Sequence, residues 1–164
     1  MFTTIGEAFT MGFGKLDSFF YRDPCMALWI DRFVLVALIV VIVVLTVTSV
    51  SAFGGEPLAG DQLLGHMMAS GVLVVGLPVF AIAFLRHFPK PESSWTLRVG
   101  VMLTIATGLG SMATVFLCML PIPSTDEMHL LIGVHRWVGL GMIPAAGLVI
   151  VGVSLKRSAS RPRS

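Results

Sequence analysis

Residues 33–50 read FVLVALIVVIVVLTVTSV, an uncharged run dominated by valine, isoleucine and leucine. The surrounding apolar stretch extends from about Trp29 to Ala52, and about 20 apolar residues are enough for a helix to cross a bilayer. Its apolar core is longer than the roughly 7–15 residues that are usual in a secretory signal. The run therefore predicts a retained transmembrane helix.

Three further apolar segments follow, at about Leu63–Leu85, Leu97–Leu120 and from Ser124 to Leu155. The 164-residue chain is 55% hydrophobic and 12% charged, with a mean hydropathy of +0.91, whereas a soluble domain has about 25% charged residues. We expect an all-α integral membrane protein in which residues 27–157 form a four-transmembrane-helix bundle in contact with lipid. The sequence has no basic surface that indicates nucleic-acid binding.

Individual residues within these segments predict a kink, a helix start and close contact between helices. Pro78 is expected to kink the second one, and Ser124 and Glu127 have the spacing of a capping box at the start of the fourth. The third segment carries small residues that permit close helix contact, namely Gly100, Gly108, Gly110, Ser111 and Ala113.

The chain ends have a different character from the bundle. Large apolar residues recur at steps of three or four within residues 1–26, which predicts an interfacial amphipathic helix; they are Phe2, Ile5, Phe9, Phe13, Leu16 and Phe20. Residues 158–164 form a short basic tail.

Lysine and arginine lie mainly on one side of the predicted bundle. The 86–98 connection and the end of the chain contain Arg86, Lys90, Arg98, Lys156, Arg157, Arg161 and Arg163, whereas the 54–62 and 120–128 connections have no lysine or arginine. The positive-inside rule then places both termini in the cytoplasm. The expected location is a bacterial inner membrane.

Residues 128–139, MHLLIGVHRWVG, place two histidines at the outer end of the fourth segment. His66 lies 20 residues before Arg86, and His135 lies 21 residues before Lys156. At about 1.5 Å per residue, both are roughly 30 Å above the inner boundary, near the outer edge of the hydrocarbon. Equal depth favours His66 and His135 as a facing pair, while His129 lies nearer water.

Such a pair matches the ligand set of one b-type haem, which needs two axial imidazoles from different helices. Arg136 could neutralise the propionates, and His129 is expected at the rim beside it, although it remains an alternative second ligand. Flat walls for the macrocycle could come from Gly71, Gly133, Gly139 and Gly141. Alternatively, each histidine alone could lie at the membrane interface and bond to a backbone carbonyl or a lipid headgroup. We expect this of His87, which lies at the cytoplasmic edge.

The chain resembles the haem b membrane subunits of respiratory oxidoreductases, which include four-helix cytochrome b561-like proteins and the anchors of nitrate reductase or succinate dehydrogenase type complexes. Gly65-His66 and His135-Arg136-Trp137-Val138-Gly139 carry the resemblance, over about residues 61–157. It implies electron exchange between quinol and haem, with partner subunits and a quinone as further ligand. Many such proteins stack two haems, but this chain has no second histidine pair near the cytoplasmic face.

Three other functions stay open. A cofactor-free accessory subunit would stabilise a larger membrane complex. A copper-handling protein would use the soft ligands near the outer helix ends, which are His66-Met67-Met68, Cys118-Met119 and Met128-His129. Ser111 could face His129 or His135 as a nucleophile, but the sequence shows neither a base within reach nor an oxyanion hole.

Overall fold

The computed structural model of the chain describes residues 24–54, 58–86 and 94–159, and its elements in these ranges are all helical. They are α1 (Pro24–Phe53), α2 (Gly60–Leu85), α3 (Trp95–Met119) and α4 (Thr125–Ala159). Each helix is long and apolar enough to cross a membrane. The prediction of an all-α integral membrane protein with a four-helix bundle is confirmed.

The helix ends differ slightly from the predicted segments. Helix α1 begins earlier, at Pro24, because proline suits a first helical position, where the backbone N–H needs no partner within the helix. Helix α4 continues to Ala159, so the first two residues of the expected tail are helical. The predicted interfacial helix lies almost wholly within residues 1–23, which are outside the described residues, and so does the rest of the tail, 160–164.

The helices start in different ways. At α4 the predicted capping box is present: the Ser124 N–H donates to Glu127 Oε2 at 2.7 Å, and the Glu127 N–H donates to Ser124 Oγ at 3.4 Å. At α3, Ser94 Oγ accepts from the Leu97 N–H at 3.2 Å. Helix α2 follows Ala59 without a side-chain cap. Gly60 there has a φ of +55°, which glycine adopts without strain.

The chain forms two compact units, Met1–Phe33 and Val34–Ser164, and the packing described below lies within the second. Its buried apolar core draws on all four helices and comprises Leu38, Ile42, Leu73, Phe80, Ala83, Phe84, Leu97, Val101, Met142, Ala146 and Val149. The Phe80 and Phe84 rings stack at 4.6 Å between centroids. No described side chain in residues 43–50, 58–68, 115–120 or 125–141 is buried. The core is therefore concentrated in the half of the bundle nearer the 86–94 connection.

At two glycines, helices α3 and α4 approach each other more closely than any residue with a Cβ atom would allow. A Cβ atom at Gly100 would lie 2.7 Å from the Val149 backbone nitrogen, and one at Gly152 would lie 2.7 Å from Leu97 Cα. Gly100 therefore has the predicted role, and Gly152 is its unforeseen counterpart on α4. Ala113 is exposed and does not contribute.

Large apolar side chains also cover the outside of the bundle. They are exposed on every helix, and examples are Val47, Val75, Phe116 and Ile132. Exposed apolar patches of this extent are unusual on soluble monomers. On helices of membrane-spanning length, this surface is the one that lipid covers.

Candidate functional site

The inward face of each helix changes from apolar to polar along the bundle. On α2 the buried positions Phe80, Leu77, Leu73 and Ala69 lead back, in steps of three or four, to His66. On α4 the buried positions Val149 and Met142 lead back to His135 in steps of seven, which is one step of three and one of four. Steps of three and four keep residues on one helix face. Both histidines therefore continue the stripe that lines the core, at the end where the core is no longer closed.

Helix α1 holds His66. The Nδ1 atom of its ring lies 3.0 Å from Thr48 Oγ1 and 3.3 Å from Ser49 Oγ. The imidazole also bonds to the backbone carbonyl of Leu45. Three groups within one turn of α1 therefore orient a half-buried ring that belongs to α2.

Helix α3 holds His135 in a similar way. The Nδ1 atom lies 3.1 Å from Thr114 Oγ1, 3.3 Å from Ser111 Oγ and 3.2 Å from the Ser111 carbonyl oxygen. Thr114 is one of two buried polar side chains among the described residues. Its burial is consistent with its hydrogen bonding, since buried polar groups need partners.

The two rings lie at the same end of the bundle and are close enough for their charges to interact. Each comes from a different helical hairpin. The structure therefore places at one end of the bundle the two histidines that equal depth paired in the sequence. Whether they ligate a cofactor stays a prediction.

The four glycines expected to flank a cofactor are not equivalent. A Cβ atom at Gly71, Gly133 or Gly139 would meet nothing within 4 Å, and of these three only Gly139 lies one turn from His135 on the same side of α4. Gly133, two residues before His135, is on the other side, and Gly141 would contact Thr107 Cγ2 at 3.5 Å. Gly71 lines an apolar groove of about 510 Å³ with Met68, Gly76, Val72 and Val75. By the helical period, this groove is on the face of α2 opposite His66.

His129 and Arg136 are both exposed on α4. Seven residues apart, they share a face of the helix, and His135 lies on another face. Their position at the rim of a cofactor site stays a prediction. His87 is outside the described residues.

The thioethers do not converge with the histidines. The side chains of Met67, Met68 and Met119 are 60%, 67% and 70% exposed, which directs them away from the bundle interior. No group of three or more histidine, cysteine, aspartate or glutamate side chains in the described ranges could hold a metal ion. The copper hypothesis therefore gains no support from this part of the chain.

Ser111 does meet His135, but not as a nucleophile meets its base. A general base must offer a nitrogen lone pair to the hydroxyl. The nitrogen nearest to Ser111 Oγ is Nδ1, which also lies 3.2 Å from the Ser111 carbonyl. A carbonyl only accepts hydrogen bonds, so a neutral ring that bonds to it has a hydrogen on Nδ1 and no lone pair there for the Ser111 hydroxyl.

Sequence reasoning found Ser111 as a residue that could face His135, but it missed the other hydroxyl groups that hold the rings. Thr48 and Ser49 looked like ordinary residues at the end of an apolar segment, and Thr114 was not singled out. The available signal was their position: Ser111 and Thr114 continue the inward stripe of Val101, Thr104 and Gly108 on α3.

Comparisons with models of protein families, with curated proteins and with solved structures find no match to this chain.

Proposed function

We propose that this protein is a membrane-embedded b-type cytochrome subunit that carries electrons between quinone or quinol and a partner subunit. One haem near the outer face would be held by His66 and His135. The observation that supports the proposal best is the convergence of two inward-facing histidines, from two hairpins, at the open end of the bundle.

The residues present fit the ligand. Two imidazoles are too few for a metal site built from side chains alone, but they would suffice for haem, which brings ligands of its own. A Cβ at Gly139, one turn from His135, would meet no neighbour, so a flat macrocycle could approach α4 at this point. When bound, haem would supply one-electron redox chemistry. This chain would hold it through His66 and His135 and would offer Arg136 at the rim.

The quinone, the partner subunit and the location are proposed on other grounds. Quinone and partner come from the resemblance of His66 and of residues 135–139 to haem b subunits. The bacterial inner membrane and the cytoplasmic termini come from the distribution of lysine and arginine. A reporter at each terminus, read from both sides of sealed membrane vesicles, tests the orientation.

The purified chain, loaded with haemin in detergent, gives the direct test of haem binding. We expect b-type bands in the reduced-minus-oxidised spectrum, and we expect His66→Ala and His135→Ala to abolish them. His129→Ala is the matched control, because His129 lies on the same helix but is exposed. Absence of the bands from the wild-type protein would refute the haem hypothesis. Bands that persist in His135→Ala but vanish in His129→Ala would mean that the wrong histidine was chosen.

A cofactor-free accessory subunit is the second candidate. The observation that favours it is that hydroxyl–imidazole hydrogen bonds between helices are themselves a means of joining membrane helices. In that case His66→Ala and His135→Ala would lower the stability of the bundle, and the wild-type protein would bind no haemin.

A further inference from the structure

Each hydroxyl group that faces His66 has a backbone carbonyl oxygen nearer to it than the ring. Thr48 Oγ1 lies 2.8 Å from the Val44 carbonyl oxygen and Ser49 Oγ lies 2.7 Å from the Leu45 carbonyl oxygen, whereas their distances to His66 Nδ1 are 3.0 and 3.3 Å. A hydroxyl has one hydrogen but two lone pairs. When that hydrogen is donated to the nearer carbonyl, both oxygens can only accept from His66 Nδ1, and the shared hydrogen belongs to the ring.

The same assignment of hydrogen-bond donors and acceptors applies to His135 on the other hairpin. Thr114 Oγ1 donates to the Ser111 carbonyl at 2.8 Å, so its oxygen can only accept from the ring. The Ser111 carbonyl itself lies 3.2 Å from His135 Nδ1 and is an acceptor by nature. Two acceptors around one nitrogen require that nitrogen to carry the proton.

A neutral imidazole with its hydrogen on Nδ1 has its lone pair on Nε2. The hydrogen bond at one ring nitrogen decides which nitrogen is left to bind a metal, and it also fixes the ring plane and strengthens the ligand. Both rings are therefore set in the same tautomer by groups that belong to a neighbouring helix.

We propose that Thr48, Ser49, Ser111 and Thr114 are positioning residues that fix His66 and His135 as Nδ1–H tautomers, so that both rings present Nε2 to their ligand. This inference rests on the proposed function only for the identity of that ligand. The tautomers themselves are a property of the cofactor-free chain.

The test is nitrogen NMR of the full-length, cofactor-free protein labelled with ¹⁵N-histidine, in detergent at a pH where the imidazoles are neutral. Each signal is assigned by replacing one histidine at a time with glutamine. Protonated and unprotonated ring nitrogens have well-separated shifts. We expect His66 and His135 to show a protonated Nδ1 and an unprotonated Nε2. A protonated Nε2 in either ring would overturn the proposal for that ring.

Two double variants test whether the hydroxyl groups cause the preference. In Ser111→Ala/Thr114→Val the Nδ1–H population of His135 should fall while that of His66 stays unchanged, and Thr48→Val/Ser49→Ala should have the reverse effect. Thr107→Val and Thr46→Val are matched controls, because these hydroxyls bond only to their own helix. Thr114→Ser keeps a hydroxyl and should keep the tautomer.

An unchanged tautomer in a folded double variant would show that the carbonyl groups act alone and would refute the role of the hydroxyls. Helical circular dichroism equal to that of the control variants establishes that the variant is folded. If a double variant does not fold, the single variants Thr114→Val and Thr48→Val, compared with Thr114→Ser and Thr48→Ser, decide the same question.

Haemin titration of the same proteins separates this inference from the proposed function. If both are right, each double variant should weaken haem binding about 10–100-fold, the usual effect of removing groups that orient a metal ligand, and the controls should bind normally. Nδ1–H tautomers without any haem binding would refute the cytochrome proposal and leave the positioning role intact. Haem binding with Nε2–H tautomers would do the opposite.

Discussion

The two helical hairpins, α1–α2 and α3–α4, present a histidine in the same way but pack differently. In each hairpin, hydroxyl and carbonyl groups of the first helix hold the ring of the second. Between α3 and α4 the backbones meet at Gly100 and Gly152, whereas a Cβ at Gly65 of α2 would make only an ordinary contact with Thr48 Cγ2, at 3.7 Å. The histidine and the groups that hold it are therefore positioned by contact between helix backbones in the α3–α4 hairpin and by contact between side chains in the α1–α2 hairpin.

This difference makes His135 the more firmly located ring. Thr114 is buried, and the Ser111 carbonyl belongs to a helix whose distance from α4 is fixed by backbone contacts. Thr48 and Ser49 are only half-buried, and their helix can shift without backbone collision. We infer that the α3–α4 hairpin sets the geometry of the site and that the α1–α2 hairpin adapts to it.

The same substitution in both hairpins should separate them most strongly. Gly152→Ala places a Cβ 2.7 Å from Leu97 Cα, and overpacking of this kind costs about 1–3 kcal/mol of unfolding free energy. Gly65→Ala adds a methyl group at a normal contact distance and should leave that free energy nearly unchanged. Reversible unfolding in mixed detergent micelles measures both. Equal losses in the two variants would mean that the hairpins do not differ in backbone packing.

Removal of one hydroxyl from each hairpin should have a smaller effect. Thr114→Val replaces a buried acceptor of the His135 N–H and should cost roughly 1 kcal/mol, near the upper part of the range for hydrogen bonds between membrane helices. Thr48→Val should cost less, because Thr48 is half-buried and Ser49 still accepts from His66. The same unfolding assay compares them. A larger loss in Thr48→Val would place the firmer ring in the first hairpin.

The helix starts offer the smallest test. Helix α4 begins with the reciprocal Ser124–Glu127 cap, whereas α2 has no side-chain cap after Ala59. Ser124→Ala should cost about 0.5 kcal/mol, the lower end for an exposed cap, and should speed amide hydrogen exchange in the first turn of α4. Ala59→Ser should slow exchange at the start of α2. No change in exchange in Ser124→Ala would mean that the cap does not stabilise this end.

The helices and the common depth of His66 and His135 could be predicted because they depend on local quantities. Hydropathy over about 20 residues identifies a span, and counting residues from a charged boundary gives depth. The Ser124–Glu127 cap could be predicted for the same reason, since its two residues are three apart in the chain.

Apart from Ser111, the groups around the histidines could not be predicted, because they depend on how helices are rotated about their axes. Nothing local shows that Thr48 points at His66 while Thr46 bonds only to its own helix. Gly152 has the same problem: it acts only through Leu97, more than fifty residues earlier in the chain. The expected wall of four glycines failed in part for this reason, since only Gly139 lies on the inward side near His135.

Every group that holds either histidine comes from the helix immediately before it in the chain. Each contact between a hydroxyl group and an imidazole therefore joins two helices that are consecutive in the chain. The contacts of His66 with hydroxyl groups do not involve the second hairpin, and those of His135 do not involve the first. A chain cut in the 86–94 connection would keep each of these hydrogen bonds within a single fragment.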